Sequence, residues 1–182
     1  MAGTTDPFQM VVIITATDVK ISNASKSFLG MLEASLNLRN ILHDTIPSDI
    51  NPKMLNLSTS EAANSQFAKL FYIKSTNIST HIDLRSYDPS YIGSSNASMD
   101  FLIASTPEIT GELNNLIVNT LNDFSEVSEV TVDVSTMYTA AYAKLILDSP
   151  TLTILINEGS MDLYRAAADA VAEVVEQYEK RV

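Results

Sequence analysis

The run Thr80-His81-Ile82-Asp83-Leu84-Arg85 alternates polar and apolar residues without a break. Successive side chains of a strand point to opposite faces, so His81, Asp83 and Arg85 share one face in steps of about 6–7 Å. An imidazole, a carboxylate and a guanidinium in line are suited to proton transfer and anion binding. Asp83 is placed to orient His81 as a general base, and Arg85 to hold a carboxylate. The same spacing suits one face of an exposed strand carrying cross-strand charge pairs. A second set lies on a predicted helix over 25–44. At about 100° per residue, Arg39 and His43 fall in the same arc as Phe28, Leu32 and Leu42. A cation among buried leucines needs a partner or a cleft. The alternative is that Arg39 snorkels and His43 caps the helix end. The candidate catalytic residues are therefore His81 and Asp83, and the candidate ligand-binding residues are Arg39, His43 and Arg85.

Other chemistries find little support. With 2 His and 0 Cys, thiol nucleophiles, cysteine-ligated zinc and iron–sulfur clusters are excluded. The histidines lack a short ligand spacing such as His-Glu-x-x-His, so no metal is expected. There is no Gly-x-Gly-x-x-Gly, no phosphate-cradling Gly-x-x-x-x-Gly-Lys-Ser/Thr and no Gly-x-Ser-x-Gly. No cofactor is indicated. The ends of the buried strands form a weaker candidate site: Thr15-Ala16-Thr17-Asp18, Ser105-Thr106 and Asn157-Glu158-Gly159-Ser160. Ligands of open parallel sheets bind at such ends. Glu108 and Glu158 occupy places a phosphate would want, so a neutral polar ligand or simple helix capping fits better.

The elements that must position these residues are legible from periodicity. Met10–Ile14, Phe101–Ala104 and Leu152–Ile156 are apolar runs of strand length, as in strands covered on both faces. The alternating segments 78–87 and 127–134 add further strands, and 54–57 is a short one at best. Helical spacing marks 25–44, a stretch after the capping box Ser58-Thr59-Ser60-Glu61, 109–124 behind Thr106-Pro107-Glu108, 136–147, and 160–180. Strands and helices alternate, which predicts a layered α/β domain. The sheet should hold five or six strands, mixed but mainly parallel, with about five helices. Segments 78–87 and 99–105 follow one another without a helix between them and so can run antiparallel. At 182 residues the chain suits a single domain, with residues 1–7 as a loose tail.

The net charge of −11 arises entirely after residue 85, where 15 Asp/Glu face 4 Lys/Arg. A surface of that sign repels nucleic acid and anionic lipid. The longest charge-free stretches are 11 residues, Pro7–Thr17 and Pro89–Met99, whereas a membrane span needs about 20. A soluble, cytoplasmic protein is expected. The leading functional expectation is a domain that binds a small polar or carboxylate ligand and self-associates as a homo-oligomer. The alternatives are a general-base enzyme of isomerase or hydrolase type using His81 and Asp83, and a non-catalytic interaction or assembly subunit.

Overall fold

The computed structural model describes residues 11–47, 78–87, 98–107, 109, 111–131 and 148–179. In chain order they form β1 (Val11–Ala16), α1 (Asn23–Leu38), β2 (His43–Pro47), β3 (Ile78–Tyr87), β4 (Phe101–Ser105), α2 (Glu112–Leu121), β5 (Val127–Thr131), β6 (Thr151–Asn157), a 3-10 turn (Glu158–Leu163) and α3 (Tyr164–Glu179). The strands make one six-stranded sheet in the order β2-β1-β3-β6-β4-β5. β2, β1, β3 and β6 run parallel, β4 pairs antiparallel with β6, and β5 is parallel to β4.

The layered, mixed and mainly parallel α/β architecture is as the periodicity predicts. The described α-helices are three rather than five. The helices expected after residue 60 and over 136–147, and the strand expected at 54–57, lie outside the described residues, as does the tail at 1–7. β3 and β4 do run in opposite directions, but they are not neighbours, because β6 lies between them.

One sheet face carries Val12, Ile14, Ala16, Ile82, Leu84, Phe101, Ile103, Leu152, Ile154 and Ile156. These pack against Phe28, Leu32 and Leu36 of α1, Leu113, Ile117 and Leu121 of α2, and Tyr164, Ala167, Ala168 and Val171 of α3. Alanines along α3 allow it to pack closely. Phe28, Phe101 and Tyr164 meet at the centre of this layer, with Phe28 and Tyr164 edge to face at 5.5 Å. The opposite face carries a smaller apolar group, Tyr87, Leu102, Ala104, Ile109 and Leu155. Among the described residues no helix is long and apolar enough to cross a membrane.

The first helix departs from its sequence-based bounds. It ends at Leu38, not near residue 44, and His43 opens β2 instead of lying on the helix. The cause is Asn40, which takes a left-handed conformation with φ of 56°. Its N–H reaches the Asn37 carbonyl at 3.0 Å, and that of Ile41 reaches Leu36 O at 3.0 Å. This pair of bonds is a Schellman stop, in which Asn is the commonest substitute for Gly. Ile41 then turns into the core at 7% exposure, and the chain enters an edge strand that tolerates Pro47 at its end.

Candidate functional site

The structure divides the five sequence candidates between the two faces of the sheet. The backbone register pairs His43 with Val12 and His81 with Ile13. Val12 belongs to the helix-covered face, and neighbouring strand positions alternate, so His43 and His81 lie on opposite sides. Arg39 ends α1 on the helix side. Its Nη2 donates to Asp169 Oδ1 of α3 at 3.0 Å, a half-exposed ion pair. The imidazole Nε2 of His43 lies 3.8 Å from Glu33 Oε2, and its Nδ1 is 3.1 Å from the Ile41 carbonyl. Arg39 and His43 therefore do not meet His81, Asp83 and Arg85.

The β3 triplet is together, and it is buried rather than exposed. His81, Asp83 and Arg85 have relative exposures of 0%, 0% and 2%. Around them on the same face stand Thr15, Thr17, Thr151 and Thr153, none above 3% exposed. Register sets them in rows: Thr15, Asp83 and Thr153 are cross-strand neighbours, as are Ile13, His81 and Thr151. The Arg85 guanidinium clasps Asp83 with Nε at 3.1 Å from both carboxylate oxygens and Nη2 at 2.7 Å from Oδ2. Thr17 donates to Asp83 Oδ1 at 3.1 Å. His81 Nε2 meets Thr15 Oγ1 at 2.8 Å. Asp83 is thus engaged by Arg85 and Thr17, while the Thr15 hydroxyl holds His81 at Nε2. Burial pushes the His81 pKa down from 6.5 to about 4, although Asp83 pulls it up in part; Arg85 adds to the fall. The ring is neutral at pH 7. The hydroxyl of Thr153 lies in this strip with no hydrogen-bond partner among the described residues.

A second polar cluster sits at the carboxyl ends of β1, β3 and β6, on the helix side, where the sequence named Asp18 and Glu158. The Asp18 carboxylate accepts from Ser25 Oγ at 2.6 Å, from Ser86 N at 3.2 Å and from Ser86 Oγ at 2.5 Å. Ser86 Oγ is also 2.9 Å from Ser22 Oγ and 3.5 Å from Glu158 Oε1. Burial holds the Asp18 pKa above its usual value, with the serine hydrogen bonds pulling against the rise. Asn157 caps the 3-10 turn by accepting from Gly159 N at 2.8 Å, and its Nδ2 donates to Met99 O at 2.8 Å. Ser160 Oγ donates to Asp100 Oδ1 at 2.6 Å. Sequence reasoning missed Ser86. Its signal was a polar residue two positions after Leu84, on the face that Ile82 and Leu84 make apolar.

No known protein family and no curated protein matches this chain in sequence. Its fold does have solved counterparts. One is a metallo-carboxypeptidase from Burkholderia cenocepacia, with a TM-score of 0.59 at 12% identity over 97% of this chain. A gene product from Agrobacterium tumefaciens has a TM-score of 0.62 at 9% identity, with 96% of this chain and 90% of that chain covered. An N-formylglutamate amidohydrolase from Ralstonia eutropha has a TM-score of 0.56 at 10% identity, with 96% of each chain covered. The chain spans 58% of the carboxypeptidase's length. At such identities the likeness is one of fold: this is a layered α/β fold that hydrolases also use.

The carboxypeptidase's name includes a metal; among the described residues of this chain the donor set does not fit one. Among the described residues no three His, Asp or Glu side chains converge. The chain has 2 His and 0 Cys, and the two histidines are on opposite faces of the sheet. No single ion is ligated by both.

Proposed function

We propose that this chain is an α/β domain that binds a small polar or carboxylate-bearing ligand on the polar strip of β1, β3 and β6. The observation that carries the reading is the strip itself. Seven polar side chains (Thr15, Thr17, His81, Asp83, Arg85, Thr151 and Thr153) are buried on one face of the central strands. Apolar residues of similar volume would be neutral or better for stability there, and buried polar groups gathered in one place favour a functional role. Arg85 is the anion-binding group, held rigid by Asp83 so that little entropy is lost on binding. Neutral His81 and Thr15 supply hydrogen bonds. Thr153 offers a hydroxyl whose partner is the ligand.

The test is a thermal-shift series with small mono- and dicarboxylates, neutral polyols and divalent metals. A ligand at a hundredfold its dissociation constant stabilises by about 2.7 kcal/mol, read as several degrees. Removing Arg85 alone strands a buried carboxylate at a cost of about 3–5 kcal/mol. The informative variant is therefore the double change Asp83→Leu with Arg85→Met. The wild type is expected to respond to a carboxylate and the double variant to fold without responding. No response from the wild type to any compound makes the strip structural.

A second reading is a general-base enzyme of hydrolase or isomerase type. Two things favour it: the Thr15 hydroxyl on His81 Nε2, and the fold shared with a carboxypeptidase and an amidohydrolase. Against it, Asp83 turns to Arg85 and Thr17 and does not orient the imidazole. Turnover of an amide or ester that is lost in His81→Ala, in protein that still folds, would favour this reading over the first.

A further inference from the structure

We infer that a pocket beyond the carboxyl end of β4 is a binding site for a small neutral carboxamide, with Asn114 as its recognition group. The pocket has a volume of about 80 Å³, lined among the described residues by the segment from Ile109 to Asn114, by Pro150 and Thr151 at the start of β6, and by Tyr178 of α3. It holds on the order of five water-sized groups. It shares only Thr151 with the β3 strip, and the inference does not rest on that strip's function.

Two independent observations point to a ligand. The first is the helix terminus. α2 begins at Glu112 behind Gly111, which has no side chain to cap it, and no side-chain cap bond is made. The first N–H groups of a helix have no partner within it, and Leu113 and Asn114 of this first turn line the pocket. The second is Asn114 itself. It is 1% exposed, yet among the described residues neither Oδ1 nor Nδ2 has a hydrogen-bond partner. Leaving a buried polar group unpaired costs stability. A fold that carries a whole amide in this state has a use for it. The sequence signal was Asn114 at a spacing of three and seven from Ile117 and Leu121, inside the buried stripe of α2.

The chemistry of the occupant follows from the donors and acceptors. Asn114 presents one acceptor and one donor side by side. The group that satisfies both at once is another amide, its N–H to Oδ1 and its carbonyl to Nδ2, with that carbonyl also open to a helix N–H. A carboxylate has nothing to give Oδ1 and meets the exposed Glu112 at the same turn. An ammonium has nothing to accept from Nδ2 or the helix amides. Pro150, Leu113 and the Tyr178 ring provide walls for a short apolar body.

The test is ligand-observed saturation-transfer NMR on the full chain with isobutyramide, isobutyrate and isobutylamine, three probes of nearly equal shape. Isobutyramide is expected to bind saturably and the two charged probes at least tenfold more weakly. Asn114→Leu is expected to lose amide binding at least tenfold and to melt higher by about 2–4 °C or more. Several results overturn the inference: no saturable amide binding by the wild type, equal binding of isobutyrate, or unchanged binding by the leucine variant. A leucine variant that melts lower or does not fold overturns it too, since Asn114 would then be a paired structural group. The charged probes and the melting curve keep this separate from the β3 strip, whose failure to bind carboxylates leaves each of these outcomes as stated.

Discussion

His81 is buried among threonines beside an ion pair, and its protonation is a property of the fold. Charging it in that place costs more than the nearby Asp83 returns, so its pKa falls to about 4 from 6.5. An unfolded chain takes up the proton near 6.5 and the folded one only near 4. Across that window the unfolded state binds more protons, so stability declines as pH falls. The difference, 6.5 − 4 = 2.5 pH units, corresponds to roughly 3 kcal/mol once both states are charged. Asp18 acts in the opposite sense. Its raised pKa gives a contribution that is complete below 3.8 and is lost as pH rises through its folded value. His81→Gln isolates the first effect, because glutamine does not titrate. Urea unfolding at pH 4.5, 5.5 and 6.5 should show the wild type losing stability on acidification relative to the glutamine variant. Parallel curves would mean that the imidazole is not held neutral by the fold.

At the scale of elements, what was legible was whatever local pattern decides. The apolar runs of β1, β4 and β6 and the strict alternation of β3 follow from which side chains face a core, and the structure places strands at each. Pairing between distant strands leaves no such trace. Nothing near Tyr87 or Phe101 says that β6, some 50 residues further on, will sit between β3 and β4. For the same reason the charged face of β3 reads as solvent-facing in sequence and is buried in the fold, since burial there depends on what lies over it. The division of the candidate site is of this kind too: Arg39 and His43 share an apolar arc only if one helix contains both. The stop at Asn40 was visible as a residue type but competed with a strong apolar period. That stop is testable. An alanine at a left-handed position costs about 1–2 kcal/mol, and glycine avoids the penalty. Asn40→Ala is expected to lower the unfolding free energy by about 1 kcal/mol while Asn40→Gly leaves it near the wild-type value, measured by denaturant titration. Equal losses in both would mean that the Asn40 side chain, not its φ, matters.

Taken whole, the molecule is electrostatically lopsided, and its excess acid falls on the elements that close the sheet. Asp100, Glu112, Glu126, Glu129, Glu158, Asp162, Asp169 and Glu173 all lie on or beside β4, α2, β5, β6 and α3. The Arg39–Asp169 pair joins α1 to α3, but a partly exposed pair of this sort contributes little. Repulsion among the remaining carboxylates is the larger effect, because at low salt charges interact over about 30 Å and at physiological salt over about 8 Å. Salt therefore relieves more repulsion than it weakens attraction. The expected result is a melting temperature that rises between 10 and 300 mM sodium chloride, with most of the gain below the physiological range. Replacing the exposed Asp162 and Glu173 of the α3 region by Asn and Gln removes part of that repulsion without touching the core. It should raise the low-salt melting temperature and flatten the salt dependence together. A melting temperature that falls with salt would show instead that attraction between exposed charges, from ion pairs such as Arg39 with Asp169, dominates the field of the whole protein, and the neutralised variant would then be the less stable of the two.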